Sequence, residues 1–293
     1  MRFTRILVPL DGSRLAEAVL PAACAIADRL DADLILLHVL EREPPATVHG
    51  EPHLAGAAEA RAYLEAHAEQ LRRGGISVEV DVHDRPVRDV ATAIDQHAHE
   101  LRADLLAMCA HGRGDLRARI LGSIAERILR GGSIPILLRT VRRADGARFQ
   151  LRNLLVPVDF SHDVEVALSA TRALAAPFGA TVVLLSAVEP GPPAATRLLP
   201  GTTAAAREFA RADLARRLDE LAARLRPEIR EVRAAADPGP PTEAILAAGD
   251  ELPADLIVLV TDAHGGLLRW YEPSTAQQLL ARPDLTLLLI KEL

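Results

Sequence analysis

Residues 6–13 read ILVPLDGS and residues 154–161 read LLVPVDFS, so the opening of the chain returns 148 positions later. Farther on, ADLLAMCAHGRGDL from Ala103 aligns without a gap on ADLIVLVTDAHGGL from Ala254, at a spacing of 151. A chain that repeats itself at this interval folds as two copies of one unit, and each copy serves as a control for the other. A residue type kept in both answers to the fold. A glycine kept in one only points to a task that only one copy performs.

Within the first copy, short apolar runs alternate with longer amphipathic ones at 6–10, 13–30, 34–39, 55–73, 78–82, 87–100, 105–110, 124–130 and 134–138. The second repeats the order at 154–158, 161–175, 181–188, 203–225, 229–234, 242–250, 256–260, 275–281 and 285–290. Read by period and length, each series is strand, helix, strand, and so on to a fifth strand. Several strands are continuously apolar, as a parallel sheet covered on both faces requires. The expected fold class is therefore α/β: two tandem, doubly wound, parallel five-stranded sheets of Rossmann-like type. The ligand crevice is expected at the carboxyl ends of the strands, where the winding reverses. Residues 139–148, polar and carrying four arginines, read as the linker between domains 1–140 and 149–293. The Pro- and Gly-rich segments 41–56 and 190–202 read as mobile loops over the crevice.

Composition excludes several functions. The net charge is −6 with arginine spread along the chain, so neither nucleic acid nor an anionic membrane surface is an expected partner. No apolar run reaches the roughly 18 residues of a membrane span. Cys24 and Cys109 are the two cysteines, both in apolar contexts, and read as buried thiols of a cytoplasmic protein rather than as a disulfide framework. The ten histidines form no HExxH or CxxC-type pattern, so no metal site is expected.

The stretch Met108-Cys109-Ala110-His111-Gly112-Arg113-Gly114 ends a strand, and Gly122-Ser123 opens the next helix. A polyphosphate is held by unpaired backbone N–H groups at a helix amino terminus, approached closely where side chains are missing. Ser123 with Glu126 has the form of a capping box. At the 151-residue shift Gly112 becomes Ala263, Gly122 becomes Pro273 and His111 becomes Asp262, whereas Ser123 remains Ser274 and Glu126 becomes Gln277. The second copy thus keeps the helix start and loses the glycines. Helix initiation does not account for Gly112 and Gly122, and Pro273 removes an N–H that a phosphate would need.

These residues resemble the universal stress protein family, here as a tandem pair in one chain. The resemblance rests on ILVPLDGS, on LLHVLE at the end of the second strand, and on HGRGDLRARILGSIAERIL followed by IPILL. It implies the adenine nucleotide alpha hydrolase-like fold. The nucleotide-binding branch of that family has the pattern G-x2-G-x9-G-[S/T]. Gly112 and Gly122-Ser123 match it, and Cys109 stands in place of the first glycine. Carried over by position, Pro9, Leu10, Asp11 and Val39 would wall the adenine and ribose. Met108 and Cys109 would flank the ribose, and His111, Gly112, Arg113, Gly122, Ser123 and Ile124 would lie along the phosphates. The implied ligand is ATP, with Mg2+ as its counter-ion. Asp11 recurs as Asp159, so a ribose contact and a structural duty such as capping the first helix both stand open.

No nucleophile with an oriented base is evident, so at most slow ATP hydrolysis is expected. The reading is a nucleotide-responsive regulator with a degenerate second domain. Its rivals are a nucleotide-free interaction scaffold, in which the last strands 134–138 and 285–290 join the domains as a pseudo-dimer, and a weak ATP hydrolase. Two such chains would then pair again as a homodimer.

Overall fold

A computed structural model of the chain describes residues 1–110, 123–132, 134–140, 149–160, 163–187, 202–237, 240–262, 279 and 285–292. The first half contributes β1 (Arg5–Pro9), α1 (Arg14–Glu17), α2 (Leu20–Leu30), β2 (Asp33–Glu41), β3 (Thr47–Val48) and β4 (Glu51–Pro52). It continues with α3 (Ala57–Arg73), β5 (Val78–Val87), α4 (Val90–Glu100), β6 (Leu105–Ala110), α5 (Ser123–Gly131) and β7 (Ile136–Thr140). The second half contributes β8 (Asn153–Pro157), α6 (Val164–Phe178), β9 (Thr181–Ala187) and α7 (Thr202–Leu225). It ends with β10 (Val232–Asp237), α8 (Pro241–Glu251), β11 (Leu256–Asp262) and β12 (Thr286–Glu292).

The strands of each half pair in parallel, and helices cover both faces, as the continuous apolar runs require. The two five-stranded halves then join edge to edge. β12 pairs antiparallel with β7, Leu287 opposite Leu138 and Leu288 opposite Leu137, to give one ten-stranded sheet ordered β10-β9-β8-β11-β12-β7-β6-β1-β2-β5. All four leucines are fully buried. Side chains alternate between two cores that each run through both halves. One face carries α2, α3, α6 and α7 over residues such as Val8, Leu36, Cys109, Leu137 and Leu288. The other carries α4, α5 and α8 over Leu7, Val39, Met108, Leu138 and Leu287.

A residue kept in both copies shows the internal control at work. Asp104, just before β6, accepts hydrogen bonds from the backbone N–H groups of Thr4 (2.7 Å) and Arg5 (3.1 Å), closing the amino-terminal edge of β1. Its counterpart Asp255 does the same for Arg152 (2.8 Å) and Asn153 (2.9 Å) ahead of β8. Neither aspartate lies near the carboxyl ends of the strands, so the shared residue serves the fold.

Two local expectations change. The run 13–30 is not one helix: α1 stops at Glu17 and α2 restarts at Leu20 with Pro21 in its first turn. Inside a single helix Pro21 would lack an N–H and its ring would collide with the carbonyl of Glu17; at a fresh amino terminus it costs nothing. β5 runs on to Val87, past the expected end at residue 82, and α4 begins only at Val90, where the Asp89 carboxylate caps it through the Thr92 N–H at 3.1 Å. The loop 190–202 falls outside the described residues except for Thr202, and of the expected helix 275–281 only Leu279 is described.

Candidate functional site

β1 lies between β2 and β6, so the direction of winding reverses beside it. Pro9 ends β1 and Leu10 and Asp11 follow it, Val39 lies near the end of β2, and Met108 and Cys109 near the end of β6. The structure therefore brings these six expected residues to one carboxyl-terminal edge on three adjacent strands. Val39 and Met108 point to the face covered by α4 and α5, and Leu10 and Cys109 to the opposite face. The Leu10 N–H donates to the Leu37 carbonyl at 2.8 Å, and the Leu10 carbonyl meets His38 Nδ1 at 2.7 Å, so this wall is tied to β2 by its main chain. Cys109 is buried, and burial pushes its thiol up to about 12 despite the nearby charge of Arg139. Its side chain is spent on the core, and what it offers the edge is backbone. Cys24 is likewise held protonated by burial, its pKa raised to about 11.

Asp11 is not itself the cap of α1. Its carboxylate accepts from the Ser13 N–H at 2.9 Å and the Ser13 hydroxyl at 2.7 Å, and the buried Ser13 Oγ in turn accepts from the Ala16 N–H at 3.1 Å. Asp11 positions the cap and keeps about a third of its side chain exposed, with His49 Nε2 3.9 Å from its second oxygen. In the other half, α6 is capped by Asp163 through the Glu165 N–H at 2.9 Å, four residues beyond Asp159.

The segment 41–56 is built, not open. β3 and β4 form a hairpin that closes over the β1–β2 edge. Glu51 accepts from the Arg14 N–H at 2.6 Å; His53, whose ring is nearly buried, packs edge-on to His38 at 6.4 Å between centroids. Leu54 fills the space above Gly12, whose φ of +89° and whose missing Cβ, which would come within 2.8 Å of Leu54 Cγ, both require glycine. At the 148-residue shift Gly12 becomes Phe160, which carries the Arg217 guanidinium 3.8 Å above its ring, and His38 becomes Ser186. These divergences fall at the carboxyl-terminal edge of β1 and β2. Sequence reasoning passed over them, although the Gly12-to-Phe160 exchange was visible in the aligned opening.

His38 is 2% exposed, and among the described residues its Nε2 makes no hydrogen bond of good geometry. Burial outweighs the backbone contacts and holds its pKa below the usual imidazole value of 6.5, so the folded protein keeps it neutral. The unfolded chain takes up that proton first, so stability is complete above about pH 6.5 and declines as pH falls below it. A His38→Asn variant retains an N–H for Leu10 and cannot titrate. Its Tm should fall less than that of the wild type between pH 7.5 and 5.5 when both are followed by circular dichroism.

On the other face, β5 places His83 in register with Val39. Asp81 Oδ2 lies 2.9 Å from His97 Nδ1, and His97 Nε2 lies 2.8 Å from His83 Nδ1. The described residues contain no group of three or more side chains arranged to hold a metal, and among them no helix is long and apolar enough to cross a membrane.

The expected phosphate side is described only at its far end. α5 begins at Ser123, is docked to α4 by the Arg127–Asp89 ion pair, and buries Ala125, Ile128 and Leu129, with Ile124 half-buried at its start. His111, Gly112, Arg113 and Gly122 lie outside the described residues.

Fold and edge together define a tandem doubly wound α/β protein. The model of the universal stress protein family matches residues 2–139 and again 150–291, and the chain belongs to that family. A universal stress protein of Methanocaldococcus jannaschii is 28% identical over 142 residues, covering 46% of this chain and 81% of its own. One from Synechocystis is 34% identical over 140 residues, with 46% and 85% covered. Each is similar to one half's length of this chain. Among solved structures, a universal stress protein from Archaeoglobus fulgidus superimposes with a TM-score of 0.73 at 19% identity, covering 99% of both chains. A functionally unknown protein from Pseudomonas aeruginosa does so with a TM-score of 0.67 at 20% identity, covering 99% of this chain and 92% of its own. At these identities the structures speak for the fold.

Proposed function

We propose that the chain is a cytoplasmic regulator of two units, 1–140 and 149–293, and that the first binds ATP or a related adenine nucleotide while the second is degenerate. The observation that carries this reading is the asymmetry of the two carboxyl-terminal edges. One copy has Gly12, Gly112 and Gly122 where the other has Phe160, Ala263 and Pro273. Pro9, Leu10, Asp11 and Val39 would hold the adenosine, with the exposed part of the Asp11 carboxylate accepting from ribose hydroxyls. Met108 and Cys109 would supply backbone at the ribose. His111, Gly112, Arg113, Gly122, Ser123 and Ile124 would line the phosphates, the α5 amino terminus favouring their charge. A bound nucleotide would bring Mg2+ as its counter-ion. Ligand that binds only the folded state stabilises it by mass action, and this is the signal. The continuous sheet across β7 and β12 favours a second reading, a nucleotide-free scaffold in which the internal pseudo-dimer presents a fixed surface and pairs again as a homodimer.

Denaturing the freshly purified protein and chromatographing what it releases separates the two. About one adenine nucleotide per chain supports the first reading. None, together with no thermal shift on adding millimolar ATP and Mg2+, supports the scaffold. Steady release of ADP, abolished by Ser123→Ala, would instead make the protein a weak ATP hydrolase.

A further inference from the structure

Arg139 stands at the seam of the two halves, on β7, between Cys109 of β6 and Thr286 of β12. It is 8% exposed, yet among the described residues no carboxylate lies within ion-pair distance of it. Its Nη1 donates to the Thr286 hydroxyl at 3.3 Å, and its guanidinium lies 5.7 Å from the centre of the Phe149 ring. Its Nε is buried without a hydrogen-bond partner, and no described residue accepts from Nη2, so among the described residues nothing occupies the side edge of the guanidinium fork. The fully buried Thr286 hydroxyl, accepting from Arg139, still has its own O–H to donate. The neighbouring Thr140 hydroxyl is engaged in both directions with the backbone of Leu285.

Arginine cannot shed its proton, and a buried guanidinium without an anion carries a large desolvation cost. The fold does not need it there. At the 151-residue shift the second copy has Ile290 in the same strand position, 2% exposed and packed in the same core. We propose that Arg139 and Thr286 form a binding site for a small oxyanion, a phosphate or a carboxylate taken side-on by Nε and Nη2, that neutralises the seam and couples the two halves. This site adjoins the proposed nucleotide edge, since Arg139 pairs with Cys109 across β6 and β7, but it does not rest on nucleotide binding there.

Thermal unfolding of the full chain against inorganic phosphate, at ionic strength held with sodium chloride, tests it. The expected result is a saturable rise in Tm of about 4 °C at a hundredfold excess over Kd. The rise should vanish in Arg139→Ile, which copies the second half, and need at least roughly tenfold more phosphate in Arg139→Lys, which keeps the charge but loses the fork. A parallel titration with acetate separates the two oxyanion sources, the stronger response naming the class. The response should persist in Gly122→Pro, which disables the nucleotide crevice. No rise in the wild type, an undiminished response in both Arg139 variants, or a response lost in Gly122→Pro while Arg139→Ile retains it, would overturn the site. So would a phosphate-insensitive wild type that Asp145→Asn destabilises, which would make the linker carboxylate the counter-ion.

Discussion

Exchanging Gly122 for proline should abolish nucleotide binding and leave the fold intact. The substitution writes Pro273 of the second copy into the first, at the step into α5, so its compatibility with a helix start has a precedent in the same chain. It removes one N–H from the proposed phosphate cradle and adds a ring where, on that proposal, the ligand approaches the main chain closely. A hydrogen bond to a charged group contributes about 1.5–3 kcal/mol, so the lost donor alone should weaken binding by at least about tenfold, and the ring should add to that. Calorimetric titration with ATP measures the loss, and an unchanged circular dichroism spectrum and unchanged Tm without ligand establish that the fold has survived. Undiminished affinity would remove Gly122 from the site.

The second large effect is expected at the seam. Leu137 is fully buried on β7 opposite Leu288 of β12, in a core that continues through both halves. Truncating it to alanine removes buried apolar surface and leaves a cavity that a strand in mid-sheet cannot collapse to fill, at a cost of about 3 kcal/mol. For a chain of this length that corresponds to a drop in Tm of about 5 °C. Because the cores are shared, Leu137→Ala should move a single calorimetric transition that covers both halves. Two separate transitions, of which only one moves, would show that the halves are stabilised independently and that the seam is a mere contact.

The internal repeat made the architecture legible, because periodicity fixes element type and the second copy checks each assignment. β6 falls on the expected residues, and the joining of the halves through their last strands follows the pseudo-dimer expectation. Boundaries were less legible where a single residue decides them, as Pro21 does in splitting α1 from α2 and Asp89 in delaying α4. Of the candidate site, the placement of Pro9–Asp11, Val39 and Met108–Cys109 at one carboxyl-terminal edge was readable from the strand pattern. The hairpin over that edge was not readable. A segment rich in Pro and Gly shows no periodicity, and what orders it is tertiary: Leu54 over Gly12, Glu51 on the Arg14 N–H, and His53 beside a buried His38. The Asp104 and Asp255 staples were also missed, although their recurrence in both copies was the available signal.

The central claim is that only the amino-terminal edge accepts an adenine nucleotide. A crystal structure grown at saturating ATP and Mg2+ tests it most directly. Density for one nucleotide at the ends of β1, β2 and β6, with phosphates at the amino terminus of α5, is the expected result. Density beside β8 and β11 with the first edge unoccupied, or in neither half, would contradict it.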